Sequence, residues 1–142
     1  MRNLENLYRQ VIMEHYRYPK NKGLVSNPNY RVIHLNNPSC GDEIKIQVNI
    51  EEDILSDIRH DGKGCSICCS SASVKSEVLK GKTIEDANRL LNSFLDMLKG
   101  EEIKDEEELE DAVVYQGVAQ FPARIKCAAL AWKALEKAIL EK

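Results

Sequence analysis

The chain has 142 residues, 43% hydrophobic and 30% charged, a composition and length that suit one compact domain over residues 1–142 and are short for two. A formal charge of −3 argues against nucleic-acid binding. No apolar run nears the ~20 residues of a membrane helix. The N-terminal stretch with Arg2, Glu5, Arg9 and Glu14 has no apolar signal core, so a cytoplasmic protein is expected.

Residues 4–18 predict a helix with Leu4, Leu7, Tyr8, Val11 and His15 on one face, ended by Pro19. On that apolar stripe His15 reads as a packed histidine rather than a metal ligand. Residues 20–29 read as loop, and Tyr30–Leu35 as a short edge strand. Ile44, Ile46, Val48 and Ile50 alternate strictly, which predicts a strand. Glu51-Glu52-Asp53 turns the chain into a second strand near 54–60, which Asp61-Gly62-Lys63-Gly64 is expected to break. His34 and His60 read as surface or strand-face residues.

Helices follow. One over 66–80 carries Ile67, Ser71, Val74 and Val78 and stops at Gly81. A second, capped by Thr83 with Asp86, runs through Leu98 on Ile84, Ala87, Leu91, Phe94 and Leu98. The stretch Glu101–Asp111 holds eight acids against Lys104 and reads as a solvated face. The last helix, 123–141, carries Ile125, Ala129, Trp132, Leu135 and Ile139. A small antiparallel sheet packed against helices makes the expected class α+β.

Five cysteines (40, 65, 68, 69 and 127) in a chain with no secretory signal point to metal or thiol chemistry rather than a disulfide framework. A hairpin returns its second end beside its first beginning, so Cys65 should approach Cys40 and Asp42. Cys65 opens one helix, and Cys127 is expected in about the first turn of another, where oriented N–H groups lower a thiol pKa. Lys63, Arg124 and Lys126 add nearby positive charge. Three thiolates and a carboxylate suit tetrahedral Zn²⁺ or iron–sulfur chemistry. Cys65-Ser66-Ile67-Cys68 has neither the βαβ context of a redox pair nor a second half to complete a zinc ribbon. Cys68 and Cys69 therefore read as small packing residues.

Three segments carry a resemblance: Asn37-Pro38-Ser39-Cys40-Gly41-Asp42, Gly62-Lys63-Gly64-Cys65-Ser66-Ile67 and Phe121-Pro122-Ala123-Arg124-Ile125-Lys126-Cys127. Together with Ser70-Ser71-Ala72-Ser73 and Gly81-Lys82, they resemble the IscU/NifU family of iron–sulfur assembly proteins from Leu4 to about Ile139. The SufU branch is the nearer one, because Lys126 stands where the IscU branch has histidine and the 82–121 stretch is longer. The resemblance implies a SufE/NifU/IscU-like α+β fold and the ligand set Cys40, Asp42, Cys65 and Cys127. It also implies a zinc-bound acceptor of persulfide sulfur from a pyridoxal-phosphate cysteine desulfurase of the SufS type. Downstream Suf assembly proteins or apo iron–sulfur proteins would receive the product.

The other occupant the same ligands suit is iron or a transient [2Fe–2S] cluster, which would make the protein a scaffold rather than a sulfurtransferase. Cys40 and Cys127 are the candidate catalytic thiols. Cys40, in a Pro/Gly stretch, can leave a metal more readily than a helix-tethered Cys127, so Cys40 is the expected acceptor.

Overall fold

A computed structural model describes residues 2–37 and 41–140. Helix α1 (Arg2–Arg17) leads into strands β1 (Arg31–Asn37), β2 (Asp42–Glu51) and β3 (Ile54–Lys63). Helices α2 (Ser66–Leu79), α3 (Ile84–Leu98) and the short α4 (Glu106–Leu109) follow, then a 3₁₀ segment (Glu110–Gln120) and α5 (Pro122–Leu140). The strands form an antiparallel sheet in the order β1-β2-β3. The expected α+β class is what the chain adopts.

The alternation in β2 sets the sheet's inner face: Ile44, Ile46 and Val48 are buried and meet Ile33 of β1 and Ile58 of β3 in one hydrophobic cluster. Glu52 and Asp53 make the β2–β3 turn with φ of 50° and 63°, the left-handed pair that matches the twist of a tight hairpin. β3 runs three residues past the expected break. The reason is Gly62, opposite Ile44 in the register. A Cβ there would lie 2.1 Å from the Glu43 carbonyl oxygen, so glycine lets the two backbones stay paired where a side chain would part them.

Helices α2 and α5 cover the inner face. Ser70, Ser71, Ala72, Ser73 and Ser76 are all buried, and these small residues let α2 approach its neighbours closely. Their hydroxyls are used. Ser71 donates to the Ala128 carbonyl at 2.7 Å and accepts the Trp132 indole N–H at 3.0 Å, while Ser70 and the Tyr115 hydroxyl bond at 2.6 Å. Trp132 stacks on Phe94 with centroids 3.9 Å apart, tying α5 to α3. Thr83 caps α3 as expected, its hydroxyl accepting the Asp86 N–H at 3.1 Å.

Two expectations change. On α1, Tyr8, Val11 and Ile12 pack against the core, but Leu7 is 56% exposed. The surfaces that cover α1 meet it on the face of Tyr8, Ile12 and His15, and Leu7 lies off that face. The acidic run is only partly solvated: Asp105 and Glu108 pair with Arg89 at 2.6 and 2.8 Å, and Leu109 is buried. Among the described residues no helix is long and apolar enough to cross a membrane.

Candidate metal centre

The hairpin register assembles the site. Asp42 is the first residue of β2, and Glu43 lies opposite Lys63, the last residue of β3. The chain leaving β3 therefore passes Asp42 two residues later, at Cys65. The Cys65 N–H donates to Asp42 Oδ1 at 3.0 Å. Cys65 is the N-cap of α2, in extended backbone and with an exposed side chain.

The third group comes from across the fold. Cys127 sits on α5 with 4% exposure. The oxygen of Asp42 and the sulfurs of Cys65 and Cys127 lie within 4.8 Å of one another. Because α5 starts at Pro122, Cys127 is in its second turn, beyond the first turn where helix-end stabilisation of an anion is strongest. That stabilisation is available to Cys65. Cys40 lies outside the described residues. Of its surroundings, Gly41 N–H donates to the Asn37 carbonyl at 2.9 Å, and Asp42 follows Cys40 by two positions in the chain.

The remaining cysteines divide. Cys68 is fully buried in the hydrophobic cluster, the packing role expected of it. Cys69 is half-buried, its sulfur 3.7 Å from the Gly64 carbonyl oxygen. Burial first, and the neighbouring Cys65 second, push the Cys69 thiol pKa up. It is a poor thiolate beside a good position. A pocket of about 300 Å³ opens on this side of the site, bordered by Tyr16, Lys22, His60, Lys63, Gly64 and Cys69. Arg124 and Lys126 are exposed, and the Arg124 guanidinium rests over the Phe121 ring at 4.9 Å.

Gly64 was not among the expected site residues. A Cβ on it would meet Asp42 Oδ1 at 2.5 Å and Cγ at 3.0 Å, so glycine makes the space the carboxylate occupies. The signal was present in Gly62-Lys63-Gly64, read there as a strand break and as part of a motif shared with the family, without a role for Gly64 itself. Two of the histidines fall as expected: His34 pairs with Glu43 on the surface at 2.8 Å, and His60 is buried with Nε2 bonded to the Lys20 carbonyl at 2.8 Å.

Residues 7–128 match the family described as NifU-like N terminal domain. The chain is 48% identical over 137 residues to the "Zinc-dependent sulfurtransferase SufU" of Bacillus subtilis (strain 168), covering 96% of this chain and 92% of that protein. It is 40% identical over 136 residues to the "Iron-sulfur cluster assembly scaffold protein IscU" of Streptococcus pyogenes serotype M1, covering 96% and 84%. Among solved structures, one titled as a putative iron–sulfur cluster assembly scaffold for the SUF system, from Fervidobacterium islandicum AW-1, superposes with a TM-score of 0.85. It is 32% identical, and the match covers 92% of this chain and 94% of that one.

Proposed function

Because the chain belongs to the NifU-like N-terminal domain family, we propose that it is a cytoplasmic zinc-dependent sulfur acceptor in iron–sulfur cluster assembly, receiving persulfide sulfur from a SufS-type, pyridoxal-phosphate cysteine desulfurase. The observation that carries this reading is the convergence of Asp42, Cys65 and Cys127 from two ends of a hairpin and a distant helix. The 48% identical relative named a zinc-dependent sulfurtransferase supports it.

The donor chemistry fits zinc. Ligand atoms of a tetrahedral zinc site lie roughly 3.3–3.8 Å apart, given bonds of about 2.0–2.3 Å. Three ligand atoms within 4.8 Å of one another already stand close to that spacing. Cys40 is the fourth ligand in this proposal. Zinc, when bound, holds the cysteines as thiolates at neutral pH.

The chain's own residues do the rest. Asp42 is held in place by the Cys65 N–H, and a carboxylate has lone pairs enough to accept that bond and still offer an oxygen. An oxygen donor among thiolates is the position where a ligand exchanges most readily. Cys127, buried on α5, stays fixed. Cys40, in the Pro38–Gly41 stretch, is the acceptor. Its thiolate attacks the outer sulfur of the donor persulfide; a new S–S bond forms, the donor's S–S bond breaks, and the donor cysteine leaves as thiolate. Electrons balance without an oxidant or reductant. Downstream Suf assembly proteins or apo iron–sulfur proteins then take the sulfur.

Cys40→Ala tests the assignment. It is expected to abolish stimulation of desulfurase turnover while the far-UV circular dichroism stays native; full stimulation by the variant would overturn the acceptor role. The scaffold reading draws on the 40% identical relative named a scaffold. A stable visible chromophore after anaerobic reconstitution, transferable to an apo-ferredoxin, would favour it over sulfur transfer.

A further inference from the structure

About three helical turns along α2 from Cys65 lies a second convergence of ligand atoms. His15 of α1, Glu77 of α2 and Asp111 of the 3₁₀ segment place a nitrogen and two carboxylate oxygens within 4.8 Å of one another. We propose that these three residues form a binding site for a first-row divalent transition-metal ion, distinct from the thiol centre and clamping α1 to the body of the protein.

One edge of the cluster already has the length of an edge in a coordination polyhedron. His15 Nε2 and Asp111 Oδ2 are 3.1 Å apart. Two ligands bonded to one ion at about 2.1 Å and sharing an edge are roughly 3.0 Å apart in an octahedron and 3.4 Å in a tetrahedron. The ring is also held as metal-binding imidazoles are, through its other nitrogen. His15 Nδ1 bonds Ser73 Oγ at 2.8 Å, and the same hydroxyl accepts the Lys20 N–H at 2.7 Å. His15 is only 6% exposed, so the ring is committed to this orientation.

Ser73 and Glu77 are one helical turn apart on α2, which puts the orienting hydroxyl and the third ligand on the same face. Glu77 has no ion-pair partner among the described residues. The cleft, about 220 Å³, is bordered by Glu14, Glu77 and Asp111 against a single cation, Lys20. With His15 neutral, those four charges sum to −2, a field that favours a divalent cation. One nitrogen and two carboxylates is a donor set for Zn²⁺, Fe²⁺, Mn²⁺ or Co²⁺ with water in the remaining positions, unlike the sulfur-rich thiol centre.

Without an ion, the Nε2 proton bridges His15 to Asp111, and the Ser73 hydroxyl donates to Nδ1. With one, the ion takes the place of that proton at Nε2 and the neutral ring adopts its other tautomer, its single proton now on Nδ1 and donated to Ser73, with no net proton release. Ser73 serves either state because a hydroxyl both donates and accepts.

Full-length protein carrying one equivalent of zinc, so that the thiol centre is filled, is titrated with Co²⁺ and separately with Zn²⁺. A second equivalent is expected by calorimetry. Its Co²⁺ form should show weak visible d–d bands with no near-ultraviolet sulfur-to-cobalt charge transfer, and the His15 Nε2 resonance should shift in long-range ¹H–¹⁵N spectra. Glu77→Gln combined with Asp111→Asn is expected to remove the second equivalent and keep the first. Glu77→Gln alone, at an exposed position that leaves the His15–Asp111 bond intact, weakens it without touching the fold. Absence of a second equivalent would overturn the proposal. So would its persistence in both variants, or a sulfur charge-transfer band showing that cobalt had entered the thiol centre. None of these readouts depends on sulfur transfer.

Discussion

Replacing Gly64 with alanine should empty one corner of the thiol centre while leaving the fold in place. The added Cβ would stand 2.5 Å from Asp42 Oδ1 and 3.0 Å from its Cγ. Ordinary van der Waals contact begins at 3.4 Å, so the carboxylate must retreat by about 1 Å. Gly64 is not among the positive-φ residues, so alanine suits its backbone and the clash falls on the side chain alone. Asp42 is 1% exposed and held by the Cys65 N–H at 3.0 Å, so it can retreat only by turning out of the site and losing that bond.

Losing even an outer-shell partner typically costs a metal site 10–100-fold in affinity, about 1.4–2.8 kcal/mol, so a displaced ligand such as Asp42 should cost at least the upper end, about 100-fold. Zinc affinity of Gly64→Ala, measured by competition with a chromophoric chelator, is expected to fall by that factor, with the melting temperature of the metal-free protein nearly unchanged. Gly62→Ala is the contrast. There the Cβ meets backbone, 2.1 Å from the Glu43 carbonyl oxygen, so stability itself should drop. A Gly64→Ala protein that binds zinc like the wild type would refute the placement of Asp42 in the metal centre.

Two further outcomes concern buried basic groups. Lys75 is fully buried with no hydrogen-bond partner for Nζ, and burial holds its pKa well below the usual value. Lys75→Met keeps the volume and removes the stranded amine, so it should stabilise the protein by about 1–3 kcal/mol, or roughly 3–9 °C in a chain of this size. The unfolded state binds the extra proton, so the gap in urea midpoint between the two proteins should narrow as pH rises toward the ordinary lysine range; a constant gap would refute the account. Burial, reinforced by Lys75, lowers the His60 pKa from 6.5 to about 4. Between those values the unfolded chain takes up a proton that the folded one refuses, so stability is lost as pH falls. This single site contributes about 3 kcal/mol to that loss. Urea unfolding between pH 7 and 4 should show this limb, and His60→Gln should flatten it.

Where a local rule and a tertiary requirement agreed, the chain could be read directly. The alternation Ile44, Ile46, Val48 predicted its strand and its buried face together, because period two and one-sided burial are the same constraint. The Thr83 cap was legible for the same reason: it needs only its own N–H three residues on. Gly62 was misread because a glycine that permits close backbone approach and one that ends a strand look alike in sequence. Leu7 was misread because an apolar stripe shows which face is available for burial, and only the neighbours determine how much of it is covered.

For the candidate sites the division is similar. The order of turn, strand, turn, strand and helix implies that Asp42 and Cys65 meet, since an antiparallel pair must bring its open ends together, and the structure joins them by a hydrogen bond. No local rule could supply the depth of Cys127 in α5 or the meeting of His15 with Glu77 and Asp111. Those contacts join residues 34 to 96 positions apart in the chain, where periodicity and capping carry no information. They are decided by how α1, α2 and α5 pack, through the summed shape of many side chains rather than the identity of any one.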